Sequence, residues 1–365
     1  MGRFKFVTSG ESHGKCLTAI VEGMVAGLSI DEDYIVVDLK RRQGGYGRGA
    51  RMTIEQDKAE ILSGVRHGLT IGSPICLQIK NRDWEKWQDK MSINPVSKNM
   101  EIVTAPRPGH ADLAGVVKYR SNDIRPILER ASARETAARV AAGAIARRFL
   151  EEFGISIRSH TICIGNLMRS DNHEIDWCRV EKSLVRCDDQ DIEKKMMNAI
   201  DRAKETGNTL GGIFEVVASG VPVGLGNHVQ WRERLDGQIA QAFMSINAVK
   251  GVEIGAGFKV AILKGSENND PFVFRQNKVM TKTNNSGGIL GGISTGMPIV
   301  LRIAVKPISS IAKEQETLNI KTGKQTKLKV EGRHDPQACS RIVPVAESMV
   351  AIILADHLLR YRSYC

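Results

Sequence analysis

Aromatic side chains are scarce, with Phe, Trp and Tyr together making up 5% of the 365 residues. Proteins that grip single-stranded nucleic acid usually stack bases on such rings beside their basic residues, so the shortage weakens a nucleic-acid reading without excluding it. No C-x-x-C pair occurs among the seven cysteines, at 16, 76, 163, 178, 187, 339 and 365. An odd, scattered set fits neither a disulfide framework nor a zinc cluster and points to a reducing cytosol. The histidines at 67, 160, 173, 228 and 357 form no H-x-x-x-H or H-x-E pattern, which leaves metal ligation with little support. Long uninterrupted apolar runs are also missing: none approaches the roughly 20 residues that span a bilayer. Met1 to Gly14 lacks the charged-then-apolar order of a secretory signal. These absences lead to the expectation of a soluble, cytoplasmic protein without a membrane partner.

What the chain does have is positive charge, a formal +11 with a pI near 9.3. Such a balance asks for an anionic partner, either nucleic acid or a small substrate rich in phosphate and carboxylate. Hydrophobic residues at 42% and charged residues at 25% are ordinary for a globular chain with a sizeable core.

Compared with itself, the sequence repeats at a spacing of about two hundred residues. Val21-Glu22-Gly23-Met24-Val25-Ala26-Gly27-Leu28 resembles Ala218-Ser219-Gly220-Val221-Pro222-Val223-Gly224-Leu225, each following a strand-like run. Gly64, Gly68, Thr70, Gly72, Pro74, Ile75, Leu77 and Ile79 match Gly288, Gly292, Ser294, Gly296, Pro298, Ile299, Leu301 and Ile303 without a gap. A His/Asp loop before a long apolar helix also occurs twice, as His110-Ala111-Asp112 before 134–150 and His334-Asp335 before 341–359, with Arg134 and Arg341 in equivalent places. Two similar halves, about 1–155 and 156–365, are expected to share one core. The first of these helices is rich in alanine, strongly helical by propensity and thin enough for close packing. Further helices are expected over 54–63, 191–205 and 235–248, and strands over 155–164, 258–263 and 298–305. Because strand signals neighbour each other without intervening helices, the class is α+β with antiparallel sheets.

Several motifs carry chemistry. Gly10-Glu11-Ser12-His13-Gly14 places an imidazole where backbone can approach a ligand; a solvated surface turn explains it about as well. Arg41-Arg42-Gln43-Gly44-Gly45-Tyr46-Gly47-Arg48-Gly49 concentrates guanidinium forks suited to phosphate or carboxylate, and also looks like an RGG-type RNA segment. Arg107-Pro108-Gly109-His110 sets a second histidine beside Arg and Gly. Ser132 and Arg134 open the alanine-rich helix, where an anion seat and a plain N-cap are equally open readings. Lys306-Pro307-Ile308-Ser309-Ser310 leaves a strand with hydroxyls and amides suited to phosphate. Asp335, between basic residues and Pro336, is either a proton acceptor or a turn cap. The remaining glycine-rich stretch, Gly287 to Gly292, and the helix end at Asn247-Ala248 add places of close backbone approach.

In order along the chain, GESHG at 10–14, RPGHAD at 107–112, RASARETAARVAAGAIA at 130–146, MSINAVKGVEIG at 244–255, GGILGGIS at 287–294 and GRHDP at 332–336 resemble the signatures of the chorismate synthase family. The resemblance implies a homotetramer whose protomer sandwiches a helical core between antiparallel sheets. It also implies reduced FMN as cofactor and 5-enolpyruvylshikimate 3-phosphate as substrate, with no nucleic acid. Its FMN contacts would fall on Arg130, Ala131, Ser132, Asn247, Ala248, Gly291, Lys306, Pro307, Ile308, Ser309, Ser310 and Arg333. Substrate or NADPH contacts would fall on Arg42, Arg48, Arg107, Arg134 and Arg341, and catalytic roles on His13, His110 and Asp335. NADPH as a reductant, or an external flavin reductase, would supply the electrons. Three positions depart from commoner family versions: Ile308 where Thr is usual, Ala131 where Ser is frequent, and Gly44 where Pro often follows the arginines. RNA binding through the basic Gly-rich loop is the alternative.

Overall fold

The computed structural model describes residues 3–48, 56–96, 100–170, 174–275, 277–330 and 335–363. A first antiparallel sheet comprises β1 (Lys5–Ser9), β2 (Cys16–Glu22), β3 (Ala59–Ser63) and β4 (Ile75–Lys80), in the order β1-β2-β4-β3. A second antiparallel sheet is built from β5 (Ser156–Ile164), β6 (Leu167–Met168), β7 (Gly212–Ser219), β8 (Val249–Ile254) and β9 (Ile299–Val305), ordered β8-β9-β7-β5-β6. The helices that matter to the site are α1 (Glu32–Gln43), α2 (Asp112–Tyr119), α3 (Arg125–Arg130), α4 (Thr136–Glu151), α5 (Gln190–Glu205), α6 (Leu235–Met244) and α7 (Cys339–Tyr361).

Strict alternation decides which face of each sheet is covered. In β4, Ile75, Leu77 and Ile79 are buried while the residues between them are not, and β9 does the same with Ile299, Leu301, Ile303 and Val305. The first sheet lays its apolar face on α4 and the second lays its own on α7, so the layers run sheet, helix, helix, sheet. One apolar core is shared by both halves. The alanines of α4 keep that helix slim, and a glycine brings it against its neighbour: a Cβ at Gly143 would lie 2.7 Å from Ser348 Cα.

The two halves also repeat a hydrogen-bonding device. Thr70 Oγ1 donates to Val25 O and accepts from Leu28 N, at 2.6 and 2.9 Å. Ser294 Oγ does the same with Pro222 O and Leu225 N, also at 2.6 and 2.9 Å. The matched positions thus close matched turns, which supports the reading of two similar halves around one core.

Two local expectations are overturned. The segment 54–63 was expected to be helical, but its described end, Ala59–Ser63, is strand β3 paired with β4, because edge pairing buries Ala59 and satisfies the ladder. The apolar stretch 258–263 forms a 3₁₀ helix, Gly257–Ile262, and pairs with no strand among the described residues. By length and composition α7 is apolar enough to cross a membrane, yet 94% of its apolar window is buried inside the protein.

Replacing Gly143 by Ala is expected to force α4 and α7 apart and to destabilise the fold by about 1–3 kcal/mol. A lowered urea midpoint at unchanged slope is the readout, and an unmoved midpoint would show that the helices do not need this contact.

Candidate active site

The turn between β1 and β2 carries His13 and is fastened to the end of α3. Ser12 N donates to Glu129 O at 3.1 Å, His13 N to Glu129 Oε2 at 2.9 Å, and His13 Nδ1 lies 2.8 Å from the same oxygen. Trp87 stacks on the imidazole at 3.9 Å between ring centroids. Arg130 closes the turn from outside by donating to Gly10 O and Thr8 O, at 2.7 and 3.0 Å. Asn81, at the end of β4, bridges the turn to the arginines: its amide donates to Glu11 O and Gly14 O and accepts from Arg134 Nε at 2.9 Å.

A second imidazole is anchored in the same manner. His110 Nδ1 lies 2.6 Å from Asp112 Oδ1, and Arg107 grips both oxygens of that carboxylate, Nε to Oδ2 at 2.8 Å and Nη2 to Oδ1 at 3.0 Å. Burial disfavours the Asp112 charge, but hydrogen bonds from His110 and Arg107 outweigh it and hold the carboxyl well below the usual range. Arg107 also donates to Ser310 Oγ at 3.3 Å, and Lys306 Nζ donates to Gly109 O. The segment after β9 is thereby tied to the His110 loop.

The two imidazole loops meet through α6. Asn247, just beyond it, donates its amide N–H to Ala131 O at 2.9 Å, while Ala248, with φ of 70°, turns its carbonyl to accept from Lys306 N at 2.9 Å. Ser132 Oγ accepts from Arg134 N at 3.3 Å, so it caps the turn that opens α4. His13, Arg130, Ala131, Ser132, Asn247, Ala248, Lys306, Ser309, Ser310, Arg107 and His110 thus belong to one contiguous group. Asn247 Oδ1 is buried and without a hydrogen-bond partner among the described residues, an acceptor left for an N–H from a ligand.

The guanidinium cluster lies beside the start of α4 and α7. Buried Asp57 takes Arg42 Nη1 at 3.2 Å on one oxygen and Arg134 Nη1 on the other. Arg42 also donates to Thr136 Oγ1 at 3.0 Å and Ala133 O at 2.9 Å. Arg48 donates to Arg42 O and Gly44 O, at 2.9 and 2.6 Å, and its buried Nε has no partner among the described residues. Arg341 pairs with Asp335. Burial lowers both Arg42 and Arg48 to about 9; Asp57 resists the shift at Arg42, and repulsion from Arg341 adds to it at both. Among the described residues the cluster gathers Arg42, Arg48, Arg134 and Arg341 around Asp57 and Asp335.

Not every residue implied by the family resemblance joins the group. Arg42 is buried and committed to Asp57, Thr136 and Ala133, so it braces the cluster rather than facing a ligand. Gly291 sits at the tip of the hairpin Ile289–Leu290/Ile293–Ser294, where Gly292 O accepts from Leu235 N at the start of α6. Asn247 follows the other end of that 10-residue helix, about 15 Å away. Pro307 is exposed, and Ile308 packs on the core while its carbonyl accepts from Thr209 Oγ1 at 2.7 Å. A threonine hydroxyl at 308 would be lost on that apolar contact. Arg333 lies outside the described residues.

Sequence reasoning missed Asp57, Asn81, Glu129 and Trp87. Glu129 stands immediately before the Arg130-Ala131-Ser132 motif, and that adjacency was the available signal. Asp57 and Asn81 carry no local pattern, since their partners are distant in sequence.

Imidazoles held on buried carboxylates, a cluster of guanidinium groups and an unmet amide acceptor make up the candidate site among the described residues. A family model described as chorismate synthase matches residues 4–359. Chorismate synthase of Moorella thermoacetica is 49% identical over 359 residues, 97% of this chain and 93% of that protein. The Aquifex aeolicus enzyme of the same name is 49% identical over 368 residues, 97% of this chain and 92% of its own. A crystal structure of chorismate synthase superposes with a TM-score of 0.78 at 42% identity, covering 98% of this chain and 92% of that one. The chain belongs to the chorismate synthase family. Members of the family are lyases of aromatic biosynthesis that use reduced FMN.

Because the folded protein depresses the Asp112 pKa, its contribution to stability is complete above the unfolded value of about 3.9 and is lost as pH falls below it. Asp112→Asn is therefore expected to be less stable than the parent at pH 7, with the gap closing below about pH 4. Denaturation curves across that range check it, and a gap independent of pH would discount the carboxylate.

Proposed function

We propose that this chain catalyses the anti-1,4-elimination of phosphate from 5-enolpyruvylshikimate 3-phosphate, giving chorismate. The observation that carries the reading is the joining of His13 and His110, through the Ala131–Asn247 and Ala248–Lys306 hydrogen bonds, into one group beside the arginine cluster. The family supports the reaction, and the grouping of these side chains supports the site.

The residues suit FMN. Asn247 Oδ1 is an acceptor awaiting a donor, and a flavin ring offers an N–H. Lys306, Ser309 and Ser310, with Arg130 and Ser132, would hold the phosphate and ring edges. In its reduced form the cofactor supplies electron density that assists phosphate departure and a base for the ring proton.

The protein's own residues neutralise, orient and move protons. Substrate and cofactor bring on the order of six negative charges together. Confining them away from water without cations would cost many kcal/mol, a load that Arg48, Arg107, Arg134 and Arg341 offset. His13 faces the leaving phosphate as its acid. His110, held through Nδ1 by Asp112, sets the protonation of the reduced cofactor. Asp335, steadied by Arg341, relays the abstracted proton.

The proposal includes a cytoplasmic homotetramer supplied with reduced flavin from outside. One family model accounts for residues 4–359, so no segment among them is left for a separate reductase domain. NADPH enters only as the ultimate reductant. Family membership favours this small-molecule chemistry over RNA binding.

His13→Ala and His110→Ala are each expected to lower kcat by about 10²- to 10⁴-fold while FMN still binds. Phosphate release under anaerobic reducing conditions measures this, and parental turnover in either variant would remove that histidine from the mechanism. Arg48→Ala is expected chiefly to raise KM; an unchanged KM would discredit its role in holding substrate.

A further inference from the structure

His13 is held on two sides by groups that the family resemblance did not mark. Along its edge, both carboxylate oxygens of Glu129 lie near Nδ1, Oε2 at 2.8 Å and Oε1 at 3.0 Å, and Oε2 also accepts the backbone N–H of His13 at 2.9 Å. Over its face, the Trp87 ring lies 3.9 Å away with 21° between planes. The Glu129 side chain is completely buried, whereas that of His13 retains 16% exposure. One edge of the imidazole is therefore held by a buried carboxylate, while the side chain as a whole keeps some exposure.

We infer that Glu129 is the positioning residue of His13, holding the imidazole proton on Nδ1 so that Nε2 is the nitrogen that exchanges a proton with the substrate. A carboxylate can only accept, so a nitrogen bonded to it must carry the hydrogen. Stacking on Trp87 opposes the ring flip that would exchange the two nitrogens. Glu129 also joins acid to cofactor segment: its carbonyl accepts Ser12 N, and its chain runs directly into Arg130, Ala131 and Ser132. His110 likewise has a buried carboxylate at Nδ1, Asp112 at 2.6 Å, but there Arg107 Nη2 also lies 3.0 and 3.2 Å from the two ring nitrogens. Other charged groups around His13 are Arg125, whose Nη1 is 3.8 Å from Glu129 Oε1, Lys90 and Arg125 at 5.4 Å from the Trp87 ring, and Glu11 in the same turn. Glu129 alone among them is bonded to the ring.

The inference rests on the proposed role of His13, but its test separates the two. Nitrogen-15 NMR of the full-length, histidine-labelled protein, with His13 assigned by its loss in His13→Ala, reads the tautomer without turnover. In the parent protein the neutral His13 is expected to carry its hydrogen on Nδ1. In Glu129→Gln, whose amide can donate as well as accept, the hydrogen is expected to appear on Nε2 in part or whole. With reduced FMN that variant is expected to lose about 10²-fold in kcat with KM within about twofold. An Nε2–H tautomer in the parent, or parental kcat in Glu129→Gln, overturns the inference. Full activity in His13→Ala instead removes the acid role of His13, and the tautomer result stands apart from it.

Discussion

Two central helices pack directly on each other, and the two sheets are laid on either side of that pair. Gly143 of α4 faces Ser348 of α7. At the other end Phe149, Phe153, Leu359 and Arg362 line a common cavity, so the helices run in the same direction. Their beginnings consequently lie together, which places Arg134 and Arg341 in one cluster although 207 residues separate them. Buried Glu347 secures the pairing, taking Arg41 at 2.6 Å and Arg147 at 2.7 Å. Burial opposes its charge, but those arginines hold its carboxyl well below the usual range. Replacing one partner alone would strand a buried charge, which is why such networks tolerate little change.

At the active face, electrostatics follow from that packing. Asp57, buried between Arg42 and Arg134, neutralises part of the cluster and leaves the remainder for a ligand. Arg42 acts as a brace, while Arg48, with its unmet Nε, is closer to what an incoming anion needs. The two imidazoles stand on carboxylates of their own, Glu129 and Asp112, and Arg107 is bonded to the second of these.

Departures from the sequence-based expectations have local physical causes. Residues 258–263 are apolar enough for a strand, but a strand needs a partner, and among the described residues they pair with none. The segment ending at Ser63 had a helical composition and became an edge strand because β4 offered a ladder to complete. Ile308 stands where the family usually has a hydroxyl, and the structure turns its side chain to the core. Gly291 carries a family signature yet lies a helix length from Asn247.

From the sequence alone came the class of fold, the matched positions Thr70 and Ser294, the alanine-rich helix, and the motifs that supply the candidate site residues. These were legible because periodicity, glycine placement and short motifs are local properties of a chain. Tertiary structure decided which of those residues face a ligand and which brace one another, as with Arg42, and it supplied Asp57, Asn81, Glu129 and Trp87. Those assignments depend on contacts between segments 14 to 116 residues apart, and only a packed chain determines which buried donor meets which acceptor.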